Sequence, residues 1–237
     1  MSNWKKIWDK KQANPDILLH GTQREIFMEL KKSNGFDVID DAVSYQAFYG
    51  QCQEILRSLS RGGDPVESIF EVGCGSGANL YLYEQAGLKT GGIDYSSSLM
   101  ECARKVLRSE ELLCVEARDL PTDKKYDAVF SNSVFSYFED EAYARQVLEK
   151  MYVKTNHSIG LIDIHDIQKK EAFESYRRKN VENYEERYKD LPKFFYKKEF
   201  FTTFASEHNM DISFSESAVE GYWNNDFVFS CYLYKRK

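Results

Sequence analysis

What this chain lacks narrows what it can be. No apolar run approaches the roughly 20 residues that a membrane-spanning helix needs, so no membrane partner is expected. The first residues, Met1 to Trp8, show no apolar core of a secretion signal. The 5 cysteines (Cys52, Cys74, Cys102, Cys114, Cys231) are scattered and make no CxxC or Cys/His group. A structural zinc site is therefore not predicted, and the chain reads as a reduced, cytoplasmic protein. No carboxylate cluster stands at metal-ligand spacing, so no metal is expected. Basic blocks are missing too: the net charge is -6, spread over mixed runs, so no nucleic-acid partner is expected. Internal repeats and low-complexity tracts are also absent.

What remains is an ordinary folded composition, 42% apolar and 30% charged over 237 residues, enough for one large α/β domain with an added cap. Residues 1–62 read as a helical cap. Trp4, Ile7 and Trp8 stand at helical spacing, a break follows at Asn14-Pro15, and helices are predicted over 22–32 and about 42–60. After the stop at Gly62-Gly63-Asp64-Pro65, strands and helices alternate as βαβ units do, giving a domain from 63 to 237. Within it, 166–206 reads as a lid insertion, charged on top with Phe173, Tyr176, Tyr184 and Tyr188 beneath. The last two predicted strands, about 211–217 and 227–234, would put an antiparallel edge on a parallel sheet.

The stretch with most chemistry is Ser68 to Asn79. A short apolar strand runs into Gly73, Gly75 and Gly77, then into a helix. Such a turn brings bare backbone and helix N–H groups toward a nucleotide-like ligand. Asp94 ends the next strand, about 20 residues on, where a carboxylate can accept from ribose hydroxyls. Taken alone, Gly73, Gly75 and Ala78 also fit a dinucleotide fingerprint.

Further stretches separate these readings. Glu71-Val72-Gly73-Cys74-Gly75-Ser76-Gly77, Gly92-Ile93-Asp94-Tyr95-Ser96, Glu116-Ala117-Arg118-Asp119-Leu120-Pro121 and Tyr126-Asp127-Ala128-Val129 occur in order. Together they resemble the motifs of class I S-adenosylmethionine-dependent methyltransferases of the small-molecule type. The resemblance runs from Ile69 to Asp166, less than half the chain, and departs at Glu116, where Asp is more usual. It implies an α/β Rossmann-like fold with a seven-stranded, mostly parallel sheet and an antiparallel last strand. The implied cofactor is S-adenosylmethionine, with S-adenosylhomocysteine as product. It would be held by Glu71, Gly73, Cys74, Gly75, Asp94, Tyr95, Glu116, Ala117 and Asn132.

His165 and Asp166, at the end of the fifth predicted strand, are the candidate catalytic residues, because ligands of open α/β sheets gather at the carboxyl ends of strands. Bracing of the loop competes with that role. Tyr45, Tyr49, Tyr137 and Trp223 are the candidate substrate contacts, with Phe135, Phe138 and Tyr222 nearby; for any one of them core packing is the alternative. His20, His157 and His208 read as surface or structural. The expected reaction is O-methylation of a sugar, nucleotide-linked or other anionic biosynthetic metabolite by a monomer or homodimer. Ser131-Asn132-Ser133-Val134 lacks the pattern of nucleobase or amide N-methylation. Small-molecule N-methylation stays open, as do an NAD-dependent oxidoreductase and a non-catalytic cofactor binder.

Overall fold

The computed structural model describes residues 3–36, 43–62 and 65–236. Ala42, Gly63 and Asp64, which take part in the predicted helix start and stop, lie outside them.

The sheet has seven strands: β1 (Ser68–Val72), β2 (Lys89–Asp94), β3 (Leu112–Cys114), β4 (Tyr126–Asn132), β5 (Thr155–His165), β6 (Met210–Glu216) and β7 (Val228–Lys235). Their spatial order is β3-β2-β1-β4-β5-β7-β6. The first five pair in parallel. β7 slots antiparallel between β5 and β6, as the predicted edge hairpin requires.

Side chains alternate across this sheet. Ile69, Ala128, Phe130, Ile162 and Tyr232 face one layer of helices. Phe70, Val72, Val129, Ile159, Leu161 and Phe229 face the other. The first layer is built by α3 (Gln23–Lys31), α4 (Tyr45–Leu59), α5 (Ala78–Gln85) and α6 (Ser97–Val106). The second is built by α7 (Glu141–Lys154) and α10 (Lys198–Glu207). Phe48, Cys52, Ile55 and Leu59 give α4 one buried stripe, and it packs on β5 and β7. The segment read as a helical cap is therefore partly a core layer, and so is α10 of the segment read as a lid.

Local chemistry sets most helix starts. Thr22 and Glu25 form a reciprocal capping box on α3. Ser44, Ser96 and Asp140 each accept from an N–H of the first turn of α4, α6 and α7. Asn14-Pro15 is more than a break: Asn14 caps, and Pro15 begins, the short helix α2 (Pro15–His20). A missing N–H costs nothing at a first helical position, so the dipeptide opens a helix, while α1 has already ended at Trp8. The expected lid helices are α8 (Lys170–Asn180) and α9 (Tyr184–Tyr188). The first helix, α1 (Asn3–Trp8), crosses toward them, and its Trp4 indole donates to the Pro192 carbonyl at 3.1 Å.

One buried charge holds the base of the sheet. Lys154 is fully buried, and its ammonium reaches Glu111 at 2.6 Å and the carbonyls of Pro121 and Lys124 at 2.9 and 3.0 Å. Lys154→Ala would leave Glu111 without its cation, a loss of about 3–5 kcal/mol. Urea denaturation should show the midpoint falling accordingly.

Candidate active site

The strand order reverses at β1, between β2 and β4, and opens a crevice at the carboxyl ends of these strands. A cleft of about 260 Å³ lies there. It is lined by every residue the sequence assigned to the cofactor: Glu71, Gly73, Cys74, Gly75, Asp94, Tyr95, Glu116, Ala117 and Asn132.

Gly73 and Gly75 have φ of 76° and 55°. A Cβ on Gly75 would stand 2.4 Å from the Asn34 side-chain oxygen, which accepts from the Ser76 N–H at 2.8 Å. A Cβ on Gly73 would meet Val134 at 2.4 Å. The glycines thus admit other parts of the chain, beyond the bare-backbone role read from sequence. Asp94 clamps the turn: its two carboxylate oxygens accept from Gly75 N–H at 2.9 Å and Ser96 N–H at 2.8 Å. Burial raises its pKa to about 6, against the lowering effect of those two N–H groups.

Glu71, expected to help hold the cofactor, bonds to Asn79 of α5, whose amide donates to Oε1 at 2.7 Å; its Oε2 is buried without a partner. The Lys31 ammonium donates to the same Asn79 side chain at 2.8 Å. Burial pushes the Glu71 carboxyl well above the ordinary carboxylate range. An orphaned carboxylate oxygen in a cleft suits a ligand ammonium, and a lysine close by suits a ligand carboxylate. An amino-acid end such as that of S-adenosylmethionine carries both, so these residues fit it. On the far wall Glu116 accepts from the Tyr143 hydroxyl at 3.3 Å, with Arg118 over the Tyr143 ring.

A second cavity of about 540 Å³ adjoins the cleft. Trp8, Lys31, Asn34, Ser133 and Tyr137 line both, so the two spaces meet at a shared wall. Tyr137, Trp223 and His165 face this inner cavity. His165 lies at 4% exposure, stacked on Phe195 at 5.2 Å and tilted against Phe173 at 4.8 Å. Its Nε2 is 3.3 Å from the Asn224 amide, and its Nδ1 has no partner. Burial first, then the charges of Lys193 and Arg177, lower its pKa well below the usual value, so the ring is neutral.

Asp163 and Ser133 also line this cavity, both with left-handed backbone, φ 58° and 60°. Ser133 Oγ donates to Asp163 at 2.8 Å, and the Asp163 turn coincides with a break in the β5–β7 register. A bulge with strained non-glycine residues beside a cavity is a device for aiming side chains.

Three expected residues lie elsewhere. Tyr45 and Tyr49 stack on each other at 5.8 Å, and neither lines a cavity. Tyr45 packs on Phe27 and beneath Arg24, while Tyr49 is exposed. They fall outside the α4 face that meets the sheet, which a list of aromatics could not reveal. Asp166 accepts from the Gln168 N–H at 2.9 Å and caps a short turn, and it too lines neither cavity. Of the other histidines, His20 is exposed at the end of α2, His157 stands 3.6 Å from Asp127, and His208 meets Glu149 at 3.1 Å. Sequence reading gave no site role to Lys31, Asn34, Asn79, Asp163 or Asn224. Asn79 alone left a trace, as a polar residue in the apolar run Ala78–Tyr83.

Residues 70–155 match the family model described as a methyltransferase domain. The malonyl-[acyl-carrier protein] O-methyltransferase of Priestia megaterium (strain DSM 319 / IMG 1521) is 28% identical over 91 residues. That match covers 36% of this chain and 31% of the relative, so the chain spans about a third of its length. Among solved structures, magnesium protoporphyrin IX methyltransferase from Synechocystis PCC 6803 with bound SAH superposes with a TM-score of 0.61 at 12% identity, covering 81% of this chain and 85% of that one. The plantazolicin methyltransferase BpumL in complex with SAH gives 0.61 at 18% identity, covering 99% and 98%. The fold is that of class I S-adenosylmethionine-dependent methyltransferases, as the motifs implied.

Two outcomes test the cleft. Asp94→Ala should weaken S-adenosylhomocysteine binding by about 10- to 100-fold, the worth of charge-assisted hydrogen bonds. Both buried acids must ionise to serve as acceptors, and binding lowers their raised pKa values, so binding releases protons. Affinity should therefore rise with pH, through about 6 for Asp94 and on to about 8 for Glu71, by up to about tenfold per pH unit per proton. Calorimetry in buffers of different ionisation enthalpy reads both effects, and Glu71→Gln should flatten the slope.

Proposed function

We propose that this chain, with a methyltransferase domain at residues 70–155 on a class I methyltransferase fold, moves the methyl group of S-adenosylmethionine to a small-molecule acceptor in the inner cavity. The observation that carries this reading is the junction of the two spaces at Trp8, Lys31, Asn34, Ser133 and Tyr137. A donor in the cleft and an acceptor in the cavity would meet there, walled from bulk water by α1 and the lid helices.

Bound in the cleft, S-adenosylmethionine supplies an electrophilic methyl group on a sulfonium that leaves readily. The chain's part is to orient and to exclude water. Glu71 would hold the amino group, Asp94 the ribose hydroxyls, and Glu116 with the Ala117 N–H the adenine. Tyr137 would offer its ring face to the positive sulfonium.

The acceptor atom we assign is a hydroxyl oxygen on a small anionic metabolite, the class including sugar and nucleotide-linked acids. Neutral His165 can take the hydroxyl proton on Nδ1 as the carbon–oxygen bond forms, with the Asn224 side-chain oxygen turned to accept from Nε2–H. Its low basicity matters less once an adjoining anion raises it. Asp166 has no part in this reading.

Calorimetry with S-adenosylmethionine, S-adenosylhomocysteine and NAD separates this reading from an oxidoreductase; tight NAD binding with no response to the other two would overturn it. His165→Asn should leave S-adenosylhomocysteine affinity within about twofold and lower the transfer rate by about 10²–10⁴-fold, the usual contribution of a general base. Labelled cofactor with a panel of hydroxylated acids provides the assay.

A further inference from the structure

Of the cations that line the inner cavity, Arg177 of α8 and Lys193 in the segment after α9 stand against its aromatic wall, and methyl transfer itself leaves both without a task. The Arg177 guanidinium lies among rings, 4.6 Å from the centre of Tyr188 and 5.3 Å from that of Trp223. Its Nε is buried and has no acceptor. The Lys193 ammonium sits 3.3 Å from the centre of Tyr137 and 5.0 Å from that of Trp4. Its hydrogen bond goes to Ser136 Oγ at 3.2 Å. Trp4 and Tyr188, 6.4 Å apart, bridge the two cations.

Among the described residues no carboxylate pairs with either cation. The acids of the cavity wall are engaged elsewhere. Asp163 accepts from Ser133, Glu25 caps α3 through Thr22, and Glu29 accepts from the Asn14 N–H at 2.6 Å. Lys193 keeps some open surface toward the cavity, yet protein encloses it deeply. Burial and the neighbouring Arg177 charge push its ammonium well below the ordinary lysine range. A guanidinium brings five donors and an ammonium three. Facing most of them into an enclosed aromatic space, with like charges adjacent, is costly unless an anion joins them.

We propose that Arg177 and Lys193 form an anion clamp that selects acceptors carrying a carboxylate or phosphate on a flat, largely apolar body. The flat, apolar body follows from the aromatic lining: Trp4, Tyr137, Phe173, Tyr188 and Trp223 all border the cavity. The clamp deepens the methyl-transfer reading and rests on it only in naming this ligand the acceptor.

Trp4, Trp8 and Trp223 are the chain's 3 tryptophans, and all line this cavity. Intrinsic fluorescence therefore reports on it directly. The full chain, saturated with S-adenosylhomocysteine, is titrated with benzoate, phenyl phosphate and the neutral benzamide, with calorimetry in parallel. Saturable binding of benzoate or phenyl phosphate, at least about tenfold tighter than benzamide, is expected; which anion wins tells carboxylate from phosphate. Arg177→Gln and Lys193→Gln should each weaken anion binding by about tenfold or more while S-adenosylhomocysteine affinity stays unchanged, which also certifies folding. Benzamide binding as tightly as the anions would overturn the clamp. So would full anion affinity in both variants, or anions that fail to bind a chain that does bind S-adenosylhomocysteine. If S-adenosylhomocysteine itself does not bind, the methyl-transfer reading fails, and anion binding to the ligand-free chain still decides the clamp.

Discussion

The Glu71 carboxylate lies at 2% exposure near the end of β1, and the chain from Glu71 through Asn79 to Lys31 satisfies one of its two oxygens. It joins a strand end, the start of α5 and the end of α3 through two hydrogen bonds. Lys31 is itself buried, and its ammonium lies 4.7 Å from the centre of the Phe48 ring on α4. The N-terminal layer is therefore fastened to the sheet at the point where the ligand cleft begins. An apolar substitute could pack there, but it would leave no unsatisfied oxygen to meet a ligand ammonium.

The glycine turn depends on the same neighbourhood. Its left-handed backbone makes room for Asn34 and Val134, and Asn34 in turn satisfies the Ser76 N–H at the opening of α5. Asp94 ties the turn to the start of α6 from the other side. A loop that sequence reading treats as a cradle for a ligand is thus a junction of α3, β1 and β2, braced before any ligand arrives. Such bracing is what preorganised binding requires.

The first residues complete the enclosure. Trp4 meets Tyr137 edge-on at 4.8 Å, and Trp8 stands in the wall common to cleft and cavity. The Trp8 carbonyl accepts from Ser98 at 3.1 Å and Asp9 accepts from the Ser97 N–H at 3.2 Å, so α1 is held to the start of α6.

Local rules were sufficient for the sheet and the cofactor cleft. Alternation, caps, glycines and the acid after each strand all act over a few residues, so the strands, the α4 stripe and the positions of Glu71, Asp94 and Glu116 could be read from the chain. Which aromatics enter the inner cavity could not. Tyr45 and Tyr49 differ from Tyr137 and Trp223 only in the direction their backbone gives them. Asp166 and His165 are neighbours in the chain, yet one caps a turn and the other points inward. The meeting of Lys31 with Asn79, of Asn34 with Gly75, and of Arg177 with Trp223 spans dozens of residues in sequence. Sequence by itself determined the sheet and the place of the glycine-turn cleft, because periodicity and turn chemistry are local. Only the tertiary structure decided the inner cavity, because its walls come from segments that nothing but packing brings together.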